Sequence, residues 1–479
     1  MRGEDIDEAS GLLASGEFNT SRPLLVTWFS YLVAAGGTCA VVFTVAGGLV
    51  SLPLHEMGLE NAFLCVVAAV AFVAFISSGP RVFRPIAWAF PFFVAAFVFW
   101  SPHALARTPD VRAGELELTR LFTAFVMALA VYACTQATSV GMTGMRLGWF
   151  FGLVLSVVVA GWEIFTRQHL WISARNPFIF PEPVVVGTYI NPNNFATALV
   201  AMIVGAIALA AQSRSRLFSV VVLTVVAAGC VAVVVTQSRS GVLALVVVLA
   251  LEVRRRMLTR RGERSLVWRQ RCADVSGRSR VLVRVVCGVI CCGVVAAFTV
   301  PALVARNPVM QMLVAQAGAE TRRSDTLRLQ LLKAAWRYLR DSGWLGSGAG
   351  SFEYLLWHDP APATLKLTNL HNAFMELLTQ YGVPTAVCYG MFVVGVLVTL
   401  AGSVRVSDTR VARYEAIGYL IALSALGIAA SSALHVSTWW VMHAAAGACA
   451  WRVATHTHRL PLWGREGAGS VDPGGKDIC

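Results

Sequence analysis

The chain has 479 residues, of which 57% are hydrophobic and 14% charged, and its formal net charge is +13. Soluble globular domains carry about a quarter charged residues, so this balance excludes a water-soluble enzyme and makes a bilayer the solvent. In a hydrocarbon core roughly 30 Å thick, helices satisfy their own backbone polar groups, and each needs about 20 mostly apolar residues.

Residues 1–22 contain Glu4, Asp5, Asp7, Glu8 and Glu17, the opposite of the basic start of a cleavable signal peptide. They are expected to form a cytoplasmic tail, with the first span retained. Apolar runs follow at about 24–52, 60–79, 84–101, 118–140, 146–165, 189–211, 216–236, 239–253, 281–304, 374–402, 415–433 and 434–453. They predict an all-α polytopic membrane protein of about twelve transmembrane helices. Nine spans fall in residues 23–304 and three in 374–453, and 454–479 form a second cytoplasmic tail that is polar, Gly-rich and disordered from about 460. The eighth run is short, and the last two nearly fuse through Ser431, Ser432 and His435. No internal repeat is found.

Orientation follows from arginine in short loops, which is enriched on the cytoplasmic side. Residues 254–284 hold eleven arginines (Arg254, Arg255, Arg256, Arg260, Arg261, Arg264, Arg269, Arg271, Arg278, Arg280, Arg284) against Glu263 and Asp274, so this segment is expected inside. Counting spans outward then puts Arg81, Arg84, Arg146, Arg214, Arg216, Arg405, Arg410 and Arg413 inside as well. Apart from Trp268 the basic segment has no base-stacking aromatics, so it is read as contacting anionic lipids rather than nucleic acid. The localisation expected is the cytoplasmic (inner) membrane, with both termini cytoplasmic.

The same count puts residues 102–117, 166–188, the turn at Gln237 to Gly241 and a long stretch, 305–373, on the outer face. Within that stretch Asp325 to Asp341 reads as a helix, with Ser324 or Asp325 as N-cap and Gly343 as its stop. Leu327, Leu331, Ala334, Ala335 and Tyr338 form one apolar side, which suits a helix lying on the bilayer surface. Most cysteines fall inside apolar runs and no loop placed outside holds one, so no disulfide framework is implied. Cys291 and Cys292 are adjacent, with no second pair or histidine cluster to complete a metal site.

Charge next to a span is expensive and marks a functional candidate. Arg239, in Thr236-Gln237-Ser238-Arg239-Ser240-Gly241, has no acid nearby in sequence, although an interfacial turn with a snorkelling arginine would look the same. Arg328 lies one turn into the external helix, after Arg322 and Arg323, where the helix N-terminus favours a phosphate. Taken alone, it also fits a solvated face. His371, in Leu370-His371-Asn372-Ala373-Phe374-Met375-Glu376, stands where the chain re-enters the membrane, and histidine takes up a proton near neutral pH. Residue type does not separate it from His435 or His443. Glu376, one turn on, is a candidate carboxylate to orient it. Gly346-Ser347-Gly348-Ala349-Gly350-Ser351-Phe352 lacks a P-loop lysine and reads as a flexible turn. Gly187 to Phe195 is too polar for an ordinary span start and reads as a re-entrant or capped entry, with Asn194 as N-cap.

Together, in this order, several of these segments resemble the O-antigen ligase and O-antigen polymerase superfamily of bacterial polysaccharide assembly. The resemblance rests on Asn191-Pro192-Asn193, Ser238-Arg239-Ser240-Gly241, Arg328 on an external helix, the Gly346 to Phe352 turn, and His371-Asn372 ahead of a span with Tyr381-Gly382. It covers roughly residues 185–400. It implies transfer of a glycan from undecaprenyl diphosphate to a glycan or lipid acceptor hydroxyl, with no cofactor and no required metal. On that basis Arg239 and Arg328 bind the diphosphate and His371 is the base. Arg322, Arg323, Asn191, Asn193 and Asn372 are further substrate-binding candidates.

A polymerase joining lipid-linked repeat units would differ only in its acceptor. A transporter or flippase of lipid-linked sugars would also be basic and polytopic, but would be expected to show repeated halves and midplane ionisable sites. A non-catalytic scaffold would tolerate loss of His371 and Arg328.

Overall fold

The computed structural model describes residues 24–47, 60–77, 85–170, 184–189, 191–267, 327–359, 370–402, 407–429, 434 and 436–457. The acidic tail, the ninth apolar run, Arg81, Arg84, Arg322, Arg323, Ser324, Asp325, Arg405, His435, Cys291, Cys292 and the Gly-rich tail therefore lie outside the described residues. All described regular structure is helical. The helices are α1 (Leu24–Ala46), α2 (Glu60–Ser77), α3 (Pro85–Ala106), α4 (Val111–Ala137), α5 (Ser139–Thr166), α6 (Pro192–Gln212), α7 (Arg216–Val235) and α8 (Arg239–Val267), followed by α9 (327–341), α10 (Ser351–His358), α11 (Ala373–Gly402), α12 (Ser407–Ala429) and α13 (Ser437–Thr457). Among the described residues, seven helices are long and apolar enough to cross a membrane.

Small residues let these helices approach closely, as packing in lipid requires. Gly144 and Gly148 of α5 face α1 so tightly that a Cβ would lie 2.3 Å from the Ala34 carbonyl oxygen and 2.9 Å from that of Thr38. The Thr38 hydroxyl donates to the Gly144 carbonyl at 2.8 Å, stitching the pair. Buried along nearly all its length, α6 is the centre of the bundle. Beside it an aromatic core (Phe93, Phe97, Phe125, Tyr389, Phe392, Trp440) joins α3, α4, α11 and α13. Val383, Val387, Met391, Val394 and Val398 of α11 recur every three or four residues and are exposed, forming a stripe suited to lipid.

Three boundaries differ from expectation, each for a local reason. The fourth run starts early: the Asp110 carboxylate accepts the Ala113 N–H at 3.1 Å, and α4 therefore carries Glu115, Glu117 and Arg120. The eighth apolar run is short as expected, but its helix is not, because α8 continues past it to Val267. Arginine is a good helix former, and Glu252 pairs with Arg255 and Arg256, three and four residues on. The last two runs are separate helices, with α12 ending at Ala429 and α13 starting at Ser437.

A chain of contacts sorts the helix ends. Ser238, before α8, donates to Asn193 at the start of α6 at 2.7 Å. Tyr189, just ahead of α6, meets Thr438 at the start of α13 at 2.6 Å. Thr438 donates to the Thr44 carbonyl near the end of α1 at 3.3 Å. Phe374, at the start of α11, stacks near Trp439 with ring centroids 6.2 Å apart. The starts of α6, α8, α11 and α13 thus share one end of the bundle. At the opposite end Arg146 is fully buried, bonded twice to Glu415 and once to Gln212. Arg255 lies over the Tyr414 ring there, 5.9 Å from its centroid. Arg214 and Arg216 follow Gln212 directly. The arginine-rich end and the end bearing Arg239 and His371 are therefore opposite poles.

Candidate functional site

The entry to α6 and the turn before α8 form a single hydrogen-bonded unit. Asn191, not Asn194, is the N-cap: its side-chain oxygen accepts the Asn193 N–H at 2.8 Å, and Pro192 takes the first helical position, where a missing N–H costs nothing. Asn194 is buried instead. The Ser238 hydroxyl donates to the Asn193 side-chain oxygen and accepts the Gly241 N–H at 3.2 Å, capping α8. Arg239 is consequently the first residue of α8, exposed, on a helix N-terminus with no acid in its first turn. Backbone N–H groups and a guanidinium are concentrated there, an arrangement that favours an anion.

Ahead of this unit, the segment 184–189 is buried and tied down. The Glu163 carboxylate accepts the Val186 and Gly187 N–H groups, each at 2.9 Å, and lies 3.3 Å from His169 Nδ1. Thr188 donates to the Val45 carbonyl at 2.9 Å.

The second unit packs just ahead of α11. Leu331, Ala334, Ala335 and Tyr338 of α9 pack against Phe352 and Leu356 of α10 and against Leu370, making a small hydrophobic core of their own. The apolar face expected to lie on the bilayer is thus turned inward, because α10 and Leu370 cover it. A second face remains open: Leu329 and Trp336 are exposed, and Trp336 meets exposed Trp344 with centroids 5.3 Å apart. Tyr338 donates to Asp359 at 2.6 Å, and Arg337 pairs with the same carboxylate, closing α9 onto the end of α10.

Leu370, buried in this core, fixes the residue after it. His371 has φ 53, a left-handed backbone conformation uncommon for a side chain of this size. The side chain of Asn372 caps α11, accepting the Met375 N–H at 3.0 Å, while its carbonyl accepts the Glu376 N–H at 2.9 Å. The imidazole is held down to about 4, first by burial and then by the positive charge of Arg328. Helix α9 therefore brings the charge of Arg328 to bear on His371, joining two candidates far apart in sequence. Glu376 is buried, and its carboxylate accepts from Gln380 at 3.5 Å.

The glycine-rich turn is pinned rather than flexible. Within α11, Gly382 leaves the helical conformation (φ 78, ψ 178) and Pro384 has no N–H, so the carbonyls of Thr379 and Gln380 lose their helical donors. The turn supplies replacements. Ser347 N–H donates to Thr379 at 2.8 Å and Gly348 N–H to Gln380 at 3.1 Å, while the Val383 N–H goes to the Trp344 carbonyl at 2.9 Å. Ala349 N–H donates to the Ala104 carbonyl at 3.0 Å, which docks the turn on the last turn of α3. No side chain fits here: a Cβ on Gly346 would lie 2.6 Å from the Gln380 oxygen. Below the kink, the Tyr381 hydroxyl donates to Glu117 of α4 at 3.0 Å. Neither Glu117 nor Tyr381 was singled out for such a role from the sequence.

His443 lies elsewhere. Its Nδ1 donates to the Trp439 carbonyl at 2.8 Å, and its Nε2 accepts the Tyr389 hydroxyl at 2.7 Å, locking it in the aromatic core. Among the described residues no group of three or more His, Cys, Asp and Glu side chains is placed to hold a metal ion.

Compared with known protein families, residues 223–390 match the model described as O-antigen ligase. Arg239, Arg328, the glycine-rich turn, His371 and Gly382 all fall inside the match. Asn191 and Asn193 precede it and are tied to it through Ser238. No curated protein matches the chain.

Proposed function

The chain carries an O-antigen ligase domain over residues 223–390, and from that premise we propose that it moves a glycan from undecaprenyl diphosphate to an acceptor hydroxyl on the outer face of the cytoplasmic membrane. The family supports membrane glycosyl transfer of the ligase or polymerase kind. The donor, the outer-face placement, the count of about twelve spans and the cytoplasmic termini belong to our reading. One observation carries the chemistry: His371, half-buried in a strained backbone, faces the field of Arg328 at the bundle end that also bears Arg239. The arginine-rich opposite pole supports that end being the outer one.

The acceptor hydroxyl oxygen attacks the anomeric carbon as His371 takes its proton. The bond from that carbon to the diphosphate oxygen breaks, and its electron pair leaves with undecaprenyl diphosphate, inverting the anomeric centre. The leaving group carries growing negative charge, which guanidinium groups neutralise with paired hydrogen bonds while keeping their protons. Arg239 on the helix α8 terminus and Arg328, with Arg322 and Arg323 ahead of it, are assigned this role. The histidine stays neutral at physiological pH through its burial, and so is ready to act as a base. Asn191 and Asn372 shape the site through the helix starts they cap and Asn193 through its bond to Ser238, and their amide groups border the donor. Anionic lipids bind the basic segment that starts in α8.

The test is transfer by purified protein in nanodiscs, supplied with undecaprenyl-diphosphate glycan and candidate acceptors, comparing wild type with His371→Ala. Loss of transfer in the folded variant supports the assignment, and the acceptor that works separates ligase from polymerase. Undiminished transfer by His371→Ala would remove His371 from the chemistry.

A further inference from the structure

Glu117 is a carboxylate on a membrane-spanning helix, and such a group is expensive to keep there unless it serves a purpose. It is 3% exposed and Tyr381, which donates to it at 3.0 Å, is 0% exposed. The bond joins α4 to α11 immediately before Gly382, where α11 departs from helical geometry. On its other side the same kink is held by backbone bonds from the glycine-rich turn. The Phe97 ring, 4.6 Å from that of Tyr381, packs the phenol into place.

The segment Ala373–Tyr381 is thus a short rigid lever. His371 stands just before one end, and the hinge at Gly382 is the other. At 1.5 Å per residue the lever is about 13 Å long, so a swing of roughly 10° at the hinge would displace the His371 end by about 2 Å. Misplacement by about 1 Å can cost a catalytic group a hundredfold in rate. Nothing within the α11 backbone fixes that angle, because Gly382 is permissive and Pro384 removes a helical bond.

We propose that Glu117 and Tyr381 are a positioning pair, whose hydrogen bond sets the angle of the Ala373–Tyr381 segment and thereby places His371 against the reacting hydroxyl. The inference rests on His371 being the base. Neither residue touches substrate; both act through α11. Glycine at the kink does not itself fix the angle, and the buried bond from α4 completes the hold that the glycine-rich turn exerts from the other side.

The experiment is steady-state transfer in nanodiscs by Tyr381→Phe, Glu117→Leu and Glu117→Gln, beside wild type and His371→Ala. Tyr381→Phe keeps the ring packing and loses only the hydroxyl. It is expected to lower kcat ten- to a hundredfold with donor KM within about twofold. Its acid limb should move to higher pH as His371 draws away from Arg328. Glu117→Gln retains a carbonyl acceptor for the phenol and should keep most of the wild-type kcat. The combined Glu117→Leu, Tyr381→Phe variant should be no slower than Tyr381→Phe alone, as expected of one shared interaction.

If His371→Ala is inactive while Tyr381→Phe keeps wild-type kcat and pH profile, the positioning role is overturned and the base assignment stands. If His371→Ala keeps transfer, the base assignment fails first. Should Glu117→Leu not fold, Tyr381→Phe and Glu117→Gln still decide. A melting point lowered in Tyr381→Phe with unchanged kcat and acid limb would show a merely structural staple and would also overturn the proposal.

Discussion

Replacing Arg328 with Gln separates the two influences that hold His371 down. In the folded protein the imidazole falls from an ordinary 6.5 to about 4, with burial the larger cause and the Arg328 guanidinium the smaller. The charge therefore accounts for less than half of that interval. The sign follows from the neutral imidazole being the base. Transfer falls as pH drops through its pKa, and removing a nearby positive charge makes protonation easier. The acid limb of kcat/KM, which reports the free enzyme, should lie well below pH 6.5 in wild type and at higher pH, still below 6.5, in Arg328→Gln. The assay is transfer to a fixed acceptor across pH 3.5 to 8, reading the position of the limb rather than the height of the plateau, which the lost diphosphate contact also lowers. A limb that stays put or moves to lower pH in Arg328→Gln would refute the coupling.

Arg239→Lys and Arg328→Lys keep the charge and lose the planar fork, and each should cut kcat/KM at least tenfold at normal expression; full activity in either would show that a point charge suffices. Gly382→Ala forces a side chain into φ 78, with its Cβ 2.3 Å from the Leu345 carbonyl carbon, and should cost about 2–4 kcal/mol, read as a lower thermal midpoint in detergent. An unchanged midpoint would contradict the kink geometry. Ser238→Ala removes the α8 cap and the bond to Asn193, a loss of about 1–2 kcal/mol that Asn193→Ala should not deepen in the double variant; additive losses would show that the two motifs are not coupled. The exposed Trp336–Trp344 pair stands level with Val383, at the head of the apolar stripe on α11. A nitroxide at position 336 in nanodiscs should therefore be quenched by oxygen more than by a water-soluble nickel complex, with one at Lys333 as comparison. Equal exposure of both to nickel would place that face in water.

The parts of this fold legible in the sequence were those governed by local composition. Apolar length marked the helices, and arginine bias marked one pole, with Arg146, Arg214, Arg216, Arg255 and Arg256 gathered there in space. The candidates Arg239, Arg328 and His371 stood out singly by residue type but were joined only by a family pattern, because a guanidinium on α9 and an imidazole ahead of α11 become neighbours through a small core built around Leu331, Phe352 and Leu370. That core misled the reading of α9: Leu331, Ala334, Ala335 and Tyr338 form a true apolar stripe, but periodicity does not say whether a stripe faces lipid or protein. The glycine-rich turn failed for a different reason. Considered alone, Gly346 to Ser351 has the composition of a flexible loop. Its order comes from Gly382 and Pro384, which lie inside an apolar run and remove the helical donors for Thr379 and Gln380. Two carbonyls freed in the hydrocarbon must find other N–H groups. A glycine and a proline two residues apart in a span are therefore a sequence-level demand for donors from outside it, and the segment that meets the demand here is the one whose glycines allow its backbone to come that close. The Glu117–Tyr381 bond had no such trace: Tyr381 was seen only as part of the Tyr381-Gly382 motif, and nothing ties it to Glu117 until α4 and α11 are packed.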